Sequence, residues 1–572
     1  MKNNLIVKGD RALRKGDEDK LGFRGIAGRV GTALIDHASD GGLVVGLEGK
    51  WGSGKSSLLF LIQEELEKLA KHQRPTVINF RPWLVGDRDA LLANLLTSLI
   101  SGVDQVAEKE DQSSAQSRAQ AIAVAEALRK FTVVICKAGD AVELLGSKAG
   151  IASVGWIGKL MNVVGKLLSC KPPEPSLEQL KHKLVESLTA LGHRFIITID
   201  DVDRLDPKEA IEVLRLTRSV ADFPNVVYLL CYDSNILEHS IQKVAKVLSG
   251  RAYLEKIVQL TIMVPTPEPF QLRQWFSEEL HKIASTKNDE ESYRLQTIID
   301  YEGGRQLTSP RSVIRTLDSI RFFWPPLSQA KCDLADLVWL QLIKDGNPRL
   351  FRWIENYCGM AAALSLGTAR VEDAEREREL SELNDAVGKG YFEDHLYSDF
   401  FCEQLAGVDA LYGDKGENCF KLYQRVNEEV RDSAIRDGRI SSPDHYRLYF
   451  ALSGPTHALT QENLDTIWAA VDTGSKATEV LILKWHIEKS TGSLSKADFF
   501  LERLLSANED TLQFIRCENL LVAFSNVMDD AYRERPFDTD WGVSLWGRAQ
   551  KLISVLLEKV EEKKRAGLVD QM

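Results

Sequence analysis

LVVGLEGKWGSGKSSLLFLIQEEL, residues 43–66, is the stretch that decides the fold. An apolar run is followed by glycines, a lysine and two serines, and then by a second apolar stretch. Residues 49–56 match the pattern G-x-x-x-x-G-K-[ST], whose backbone N–H groups wrap a phosphate chain. The pattern predicts a buried parallel strand at 43–47, a phosphate-binding loop, and a helix from residue 57 to about residue 69.

The residue types of this predicted loop suit phosphate chemistry. Glycines lack the Cβ that would keep the backbone away from the phosphates, and they reach positive φ angles. Lys55 is predicted to reach the β- and γ-phosphates, and the Ser56 hydroxyl is predicted to ligate Mg²⁺. The predicted nucleotide-binding residues are Gly49, Lys50, Trp51, Gly52, Ser53, Gly54, Lys55, Ser56 and Ser57.

A second apolar strand ends in carboxylates, in the stretch RFIITIDDVDRL at 194–205. Because the carboxyl ends of parallel strands meet at one edge of a sheet, these acids are expected to face the same crevice as the phosphate loop. Asp200 is predicted to be a partner of Mg²⁺, and Asp201 to orient or deprotonate the attacking water. Asp pairs also cap helices, but the helix start at Asp206-Pro207 comes several residues later.

Two further segments supply candidate sensors of the γ-phosphate. A third apolar strand at 225–233 ends in Asp233, for which capping of the following turn is the alternative. The stretch LTSPRSVIR at 307–315 predicts a helix that presents Arg311 and Arg315 on one face. The fixed fork of donors suits either arginine to a phosphate, and two solvated surface arginines are the alternative.

Four motifs together resemble the KAP family of P-loop NTPases. They are GKWGSGKSS, the strand 77–80 with Arg81-Pro82-Trp83, the string DDVDRL at 200–205, and YLEKIVQ at 253–259. The resemblance spans about residues 20–330. It implies that ATP is the substrate, that Mg²⁺ is the cofactor, and that Asp203 and Arg204 complete the signature. Arg204 would either stabilise phosphate charge or pair with Asp203.

The resulting fold class is α/β: a P-loop NTPase with a parallel sheet flanked by helices, a helical insertion, and an all-α C-terminal domain. The predicted division is an N-terminal segment at 1–20, the P-loop domain at 21–330, and a helical domain at 331–572. After residue 331 no strand-like alternation persists, and breakers such as SSPD and SGPT separate helical stretches. The helical domain is the predicted surface for a second copy or for other protein partners.

The insertion, at about 90–190, departs from the family, many of whose members carry transmembrane helices there. Its stretch 150–170 has an apolar stripe at helical spacing, with Lys159, Asn162 and Lys166 off the stripe. We expect this stretch to pack on the protein's own core; lying on a membrane surface is the second alternative, and crossing a membrane the third.

Composition argues against several classes of protein. The 572 residues are 44% hydrophobic and 27% charged, with a net charge of -11 and no block of Lys or Arg that stands out. This gives no support to broad nucleic-acid binding. The eight cysteines form no CxxC pair, and the N-terminus lacks the apolar core of a signal peptide, so reduced thiols in a cytoplasmic protein are expected.

Two hypotheses for function follow. In the first, an ATPase with catalytic residues Lys55, Asp201 and Arg204 couples its cycle to movement of the helical domain, in signalling or in the antiviral defence that soluble bacterial members of the resembling family are often linked to. In the second, the nucleotide regulates a scaffold that hydrolyses slowly or not at all. The acid pair favours the first hypothesis, because a scaffold could dispense with Asp201.

Overall fold

The structure is a computed structural model of the chain. It describes residues 6–36, 42–71, 73–82, 88–109, 115–138, 177–220, 223–365, 369–388, 390–412, 418–455, 459, 461–487, 489–491, 494–505, 514–533, 545–558, 560, 565 and 567–568. Trp83 and the amphipathic stretch 150–170 of the sequence analysis lie outside these residues.

The chain divides into two compact units. The P-loop unit comprises Asp10–Glu268 together with Ser309–Arg311. The helical unit comprises Met1–Gly9, Pro269–Thr308 and Ser312–Met572. The compact units therefore divide the chain earlier than residue 330, and the predicted domain boundaries stay a prediction.

The described part of the P-loop unit alternates strands and helices, as the sequence predicted. Its strands are β1 (Leu43–Glu48), β2 (Thr76–Phe80), β3 (Phe195–Ile199), β4 (Val226–Tyr232) and β5 (Leu260–Met263). Its helices are α1 (Phe23–Asp36), α2 (Lys55–Glu67), α3 (Arg88–Lys109), α4 (Ala115–Ala138), α5 (Leu177–Leu191), α6 (Pro207–Val220), α7 (Ser234–Ala245) and α8 (Gly250–Leu254). A short 3₁₀ turn occupies Val202–Arg204.

The five strands form one parallel sheet in the order β2-β3-β4-β1-β5. Leu230 of β4 is paired with Gly46 of β1 on one side and with Ile199 of β3 on the other. The phosphate loop and the acidic string therefore leave the same edge of the sheet, with β4 between them. The parallel sheet flanked by helices confirms the predicted fold class.

The core extends on both faces of the sheet, as is typical of parallel strands that are covered by helices. Every residue of β3 and β4 is buried. The insertion contributes to this core, since Val103 of α3, Leu128 of α4 and Leu184 of α5 are buried in one cluster with Ile197 of β3. The helical insertion is thus confirmed for the described residues, and its helices are part of the core and do not lie at its margin.

The helical unit confirms the expected helical C-terminal part and adds two short antiparallel strand pairs. Its described helices are α9 (Pro269–Ile283), α10 (Asp289–Gln306), α11 (Pro310–Gln329, whose first turn belongs to the P-loop unit), α12 (Leu334–Gly346), α13 (Pro348–Ser365), α14 (Asp373–Val387), α15 (His395–Gln404), α16 (Glu428–Asp437), α17 (Tyr446–Ala451), α18 (Gln461–Thr473), α19 (Ser475–Ile487), α20 (Lys496–Leu505), α21 (Phe514–Arg533) and α22 (Leu545–Glu558). The strand pairs are β6 (Asp409–Tyr412) with β7 (Asn418–Lys421), and β8 (Lys489–Thr491) with β9 (Leu494–Ser495). Strands of two to four residues are too short to leave a readable alternation in the sequence.

Buried ion pairs fix the centre of the helical unit. Asp336 of α12 is fully buried and accepts hydrogen bonds from Arg294 Nη2 at 2.5 Å, Arg439 Nε at 2.8 Å and the Ile440 backbone N–H at 2.7 Å. Two guanidinium groups and a backbone donor satisfy a carboxylate that could not otherwise remain charged inside a protein. Within the part of the chain that the structure describes, we find no helix with the length and apolar character needed to cross a membrane.

Candidate functional site

The phosphate loop connects β1 to α2 and depends on its glycines. Gly52 and Gly54 have φ angles of 82° and 99°, in the left-handed region that side chains disfavour. A Cβ on Gly54 would lie 2.9 Å from the ring of Phe23, and a Cβ on Gly49 would lie 2.6 Å from Ser53 Oγ. The loop has room for backbone only, as a cradle for a phosphate chain requires.

Lys55 is the first residue of α2 and is only 6% exposed. Its Nζ donates hydrogen bonds to the carbonyl oxygens of Gly49, at 2.9 Å, and of Lys50, at 3.4 Å. It also lies 3.7 Å from Asp203 Oδ2. The lysine of the phosphate loop therefore faces the acidic string, as the sequence predicted, but its nearest carboxylate is that of Asp203.

The acidic string turns sharply after β3. Asp201 has a φ of 57°, and its backbone N–H donates to Asp200 Oδ1 at 2.9 Å. The 3₁₀ turn that follows brings Asp203 inward, where its side chain is 2% exposed. Asp203 Oδ1 is buried, and none of the described residues offers it a hydrogen bond. The string thus presents one inward and two more exposed carboxylates.

Asp201, the predicted water-orienting residue, pairs with Arg204. Arg204 Nε lies 3.0 Å from Asp201 Oδ1, with side-chain exposures of 51% and 25%. Of the two predicted roles for Arg204, an ion pair is present, but with Asp201 where the sequence analysis named Asp203. Burial raises the pKa of Asp201, and the neighbouring Asp200 charge raises it further, while Arg204 lowers it. A carboxyl group with a raised pKa binds protons more readily than an ordinary aspartate, which suits a general base.

Asp233, the candidate sensor at the end of β4, is committed to backbone contacts. Its Oδ2 accepts a hydrogen bond from the Trp51 N–H at 2.9 Å, and its Oδ1 accepts one from the Asn235 N–H at 3.1 Å. The second bond caps α7, which is the alternative that the sequence left open. The first bond holds the phosphate loop against β4. Its role as a sensor stays a prediction.

The two candidate arginines lie in different units. Arg311 belongs to the P-loop unit, and its guanidinium lies 4.5 Å from the centre of the Trp51 ring. Its Nε is 2.5 Å from Asp10 Oδ2, and its backbone N–H donates to the Gly52 carbonyl at 3.4 Å. Arg315 belongs to the helical unit and is 3.5 Å from Asp345 Oδ1. Only Arg311, of this pair, contacts the phosphate loop within its own unit.

Residues near the N-terminus complete the loop's surroundings, and sequence analysis missed them. Asp10 holds Arg311, Phe23 covers Gly54, and the Leu13 N–H donates to Ser57 Oγ at 3.2 Å. No motif marks this stretch, because single residues that pack on a distant loop leave no periodic signal.

Ser56, the predicted metal ligand, lies beside Lys55 in the first turn of α2.

Comparison with known proteins identifies the family. The model of the KAP family P-loop domain matches residues 23–324, more than half of the chain. The chain belongs to the KAP family. It therefore carries a P-loop NTPase domain, which is a nucleotide-binding domain, and the resemblance drawn from the motifs is confirmed.

This KAP protein is similar to one protein in sequence and, more weakly, to others in structure. It is 27% identical over 549 residues to the phage T7 exclusion protein of Escherichia coli (strain K12), covering 93% of this chain and 72% of that protein. The ORC2 protein of Aeropyrum pernix aligns with a TM-score of 0.31 and 15% identity, over 74% of this chain and 94% of that one. The Cdc6p protein of Pyrobaculum aerophilum aligns with a TM-score of 0.31 and 11% identity, over 76% and 97% respectively.

Proposed function

We propose that this KAP protein is an ATPase whose reaction takes place between the phosphate loop and the acidic string. The observation that carries the proposal is the 3.7 Å separation of Lys55 Nζ and Asp203 Oδ2. Two motifs far apart in the sequence come together at the carboxyl edge of the sheet, where α/β proteins bind their ligands.

The described residues fit a nucleotide. Ser53 Oγ is buried and meets no hydrogen-bond partner among the described residues, so a donor is available inside the loop. Lys55 is bonded to the loop's own carbonyls, and these contacts occupy the ammonium group until a phosphate chain replaces them. Arg311 supplies a second cation next to the loop, at the Trp51 ring. These groups supply the positive charge that a triphosphate needs.

Residues of the acidic string and of the first turn of α2 fit Mg²⁺. Asp203 Oδ1 is a buried carboxylate oxygen with its hydrogen-bonding capacity unused within the described residues, and Asp200 in the same string and Ser56 next to Lys55 are further oxygen donors. Protein sites usually hold Mg²⁺ by one or two side chains together with substrate phosphates and water, so a full protein cage is not required. When bound, the ion would supply charge neutralisation at the phosphates.

The chain's own groups have separable roles in this proposal. Lys55 binds the β- and γ-phosphates, Asp200, Asp203 and Ser56 would hold the metal, and Asp201 accepts the proton of the attacking water. The raised pKa of Asp201 supports that role. Arg204 keeps Asp201 in place in the resting protein, through their 3.0 Å ion pair.

That ion pair also favours a second candidate function. An Asp201 carboxylate neutralised by Arg204 suits a nucleotide-regulated scaffold with little hydrolysis. In either case we propose that a cytoplasmic protein uses its nucleotide state to move the helical unit and to bind a second copy or another protein. The likeness to the phage T7 exclusion protein supports a role in defence against phage.

Release of inorganic phosphate from ATP by the purified chain, with and without Mg²⁺, tests the proposal. We expect Mg²⁺-dependent turnover, loss of most ATP affinity in Lys55→Ala, and retained binding without turnover in Asp201→Asn. Lys68→Ala, a change of an exposed lysine at the end of α2, is the matched control and should behave as the unmodified chain. ATP binding by Lys55→Ala at full affinity would refute the site, and binding with a nucleotide-dependent shift in size exclusion but no phosphate release would establish the scaffold.

A further inference from the structure

A large cavity lies wholly within the helical unit. It has a volume of about 840 Å³, is open to solvent, and is lined by α13, α14, α15 and α16 and by the loops at 405–407 and 423–426. Sites for small molecules usually measure about 300–1,000 Å³. The cavity therefore has the size of a ligand site. Its lining residues are far from the phosphate loop in the sequence.

The charge of this cavity is opposite to that of the chain. Its lining includes four arginines and a single carboxylate among the described lining residues: Arg376, Arg425, Arg431, Arg439 and Glu403. The whole chain has a net charge of -11. Arg439 is neutralised by the buried Asp336, so three guanidinium groups and one carboxylate leave the lining a net positive charge that an anion would neutralise.

Two of these arginines are held in fixed positions by hydrogen bonds to the protein. Arg376 Nη1 donates to the carbonyl oxygens of Leu422, at 2.6 Å, and Tyr423, at 3.0 Å. Arg439 Nε donates to the buried Asp336 at 2.8 Å. A guanidinium fixed in this way loses little freedom when it binds a ligand, and its planar fork matches the oxygens of a phosphate.

The floor of the cavity is rigid as well. The Tyr357 hydroxyl donates to the Ala406 carbonyl at 2.9 Å and accepts from the Tyr423 N–H at 3.3 Å, so it joins the two loops. The rings of Tyr357 and Tyr423 stack with centres 4.6 Å apart.

Two residues of these loops have positive φ angles, which glycine adopts readily and tyrosine rarely. Tyr423 has a φ of 56° and Gly407 a φ of 74°, both in the left-handed region. A Cβ on Gly407 would lie 2.6 Å from the Gln424 carbonyl oxygen, so the loops approach as closely as glycine allows. A bulky residue in this region is rare outside sites where the surroundings enforce it, and such sites often bind ligands.

We propose that this cavity binds a small phosphorylated molecule that carries at least two phosphate groups. The arginines of the lining come from α14, from the loop at 423–426 and from α16 and the residues after it, and a volume of about 840 Å³ holds more than one phosphate group. The charge lies inside a bounded cavity, whereas a nucleic acid is bound by an open stripe or patch of basic residues. The proposal does not rest on hydrolysis at the phosphate loop.

The test uses the full chain with Lys55→Ala, so that the phosphate loop does not contribute to binding. Titration calorimetry with inorganic pyrophosphate, with ADP and with a single-stranded oligonucleotide is expected to show one site per chain for pyrophosphate or ADP. Arg425→Ala, at an exposed residue, should weaken this binding by about tenfold or more, because a charge-assisted contact to phosphate is lost. Glu403→Gln should strengthen it, because the repelling carboxylate is removed.

One control variant and one further cavity variant test whether the effect is specific. Arg436→Ala changes an exposed arginine of α16 that does not line the cavity, and it should leave the affinity within about twofold. Arg431→Ala, on the same helix, should weaken binding as Arg425→Ala does, and its melting temperature shows whether it is folded. The proposal fails if neither pyrophosphate nor ADP binds, if Arg425→Ala binds as its parent, or if the oligonucleotide binds and pyrophosphate does not displace it.

Discussion

The ion pair between Lys55 and Asp203 predicts that Asp203→Asn lowers the stability of the P-loop unit, whereas Asp201→Asn lowers turnover. Asp203→Asn removes the carboxylate that lies 3.7 Å from a lysine with 6% exposure. Two unit charges about 4 Å apart interact by about 4 kcal/mol at the effective dielectric that reproduces ion pairs in proteins. The desolvation of Asp203 offsets part of this, and the carbonyl bonds of Lys55 remain, so we expect a net loss of about 2 kcal/mol.

Thermal unfolding is a direct measurement of this effect. A loss of about 2 kcal/mol lowers the melting temperature of a unit of this size by about 4–8 °C. The relevant transition is the one that ADP raises, because that transition reports the P-loop unit. Phosphates would restore the missing countercharge to Lys55, so ADP should raise the melting temperature of Asp203→Asn by more than it raises that of the unmodified chain.

Asp201→Asn is the matched control in the same string. Its carboxylate is 25% exposed and its partner Arg204 is 51% exposed, so the ion pair contributes at most about 1 kcal/mol. The variant should therefore melt close to the unmodified chain and lose turnover instead. If Asp203→Asn melted as the unmodified chain does, or if ADP stabilised both equally, the reasoning about Lys55 would be wrong.

Three further predictions concern the loop, the base and the helical unit. Gly54→Ala places a side chain at a φ of 99° and should lower ADP affinity about tenfold or more in calorimetry; equal affinity would show that the loop rearranges. Arg204→Ala removes a cation that lowers the pKa of Asp201, so the acidic limb of the ATPase pH profile should move to higher pH, and an unmoved limb would exclude Asp201 as the titrating group. Burial lowers the pKa of His445 to about 3, so only the unfolded chain binds its proton below about pH 6.5 and stability falls as the pH falls. Between pH 7 and pH 5 the free energy of unfolding should fall by about 2 kcal/mol because of His445. Denaturant titrations at the two pH values should show that His445→Gln lacks this loss. An equal pH dependence of stability in both proteins would refute the prediction.

Local sequence patterns predicted the elements that bear on the site. The phosphate loop, the acidic strand and the strand that ends at Asp233 are each contiguous, and their residue types follow from the chemistry of one segment. These features needed no knowledge of distant contacts.

The contacts between side chains of different segments could not be predicted from local sequence patterns. Asp201 and Asp203 are equivalent in the sequence, and the left-handed turn at Asp201 decides which of them reaches Lys55. Asp10 likewise contacts Arg311, although the two residues stand at opposite ends of the P-loop unit's sequence and no local pattern joins them.

The internal hydrogen bonds and ion pairs of the site also determine which contacts a nucleotide must replace. Lys55 is bonded to two loop carbonyls and faces Asp203, Asp201 pairs with Arg204, and Asp233 holds the Trp51 N–H. A phosphate chain therefore replaces internal partners, so its affinity is a difference between two sets of contacts. Because Asp201, Asp203 and Arg204 share one short turn, the release of Lys55 from Asp203 alters the same turn that positions the proposed base. We therefore expect nucleotide binding and the ionisation of Asp201 to be coupled, with each changing the other by the same free energy.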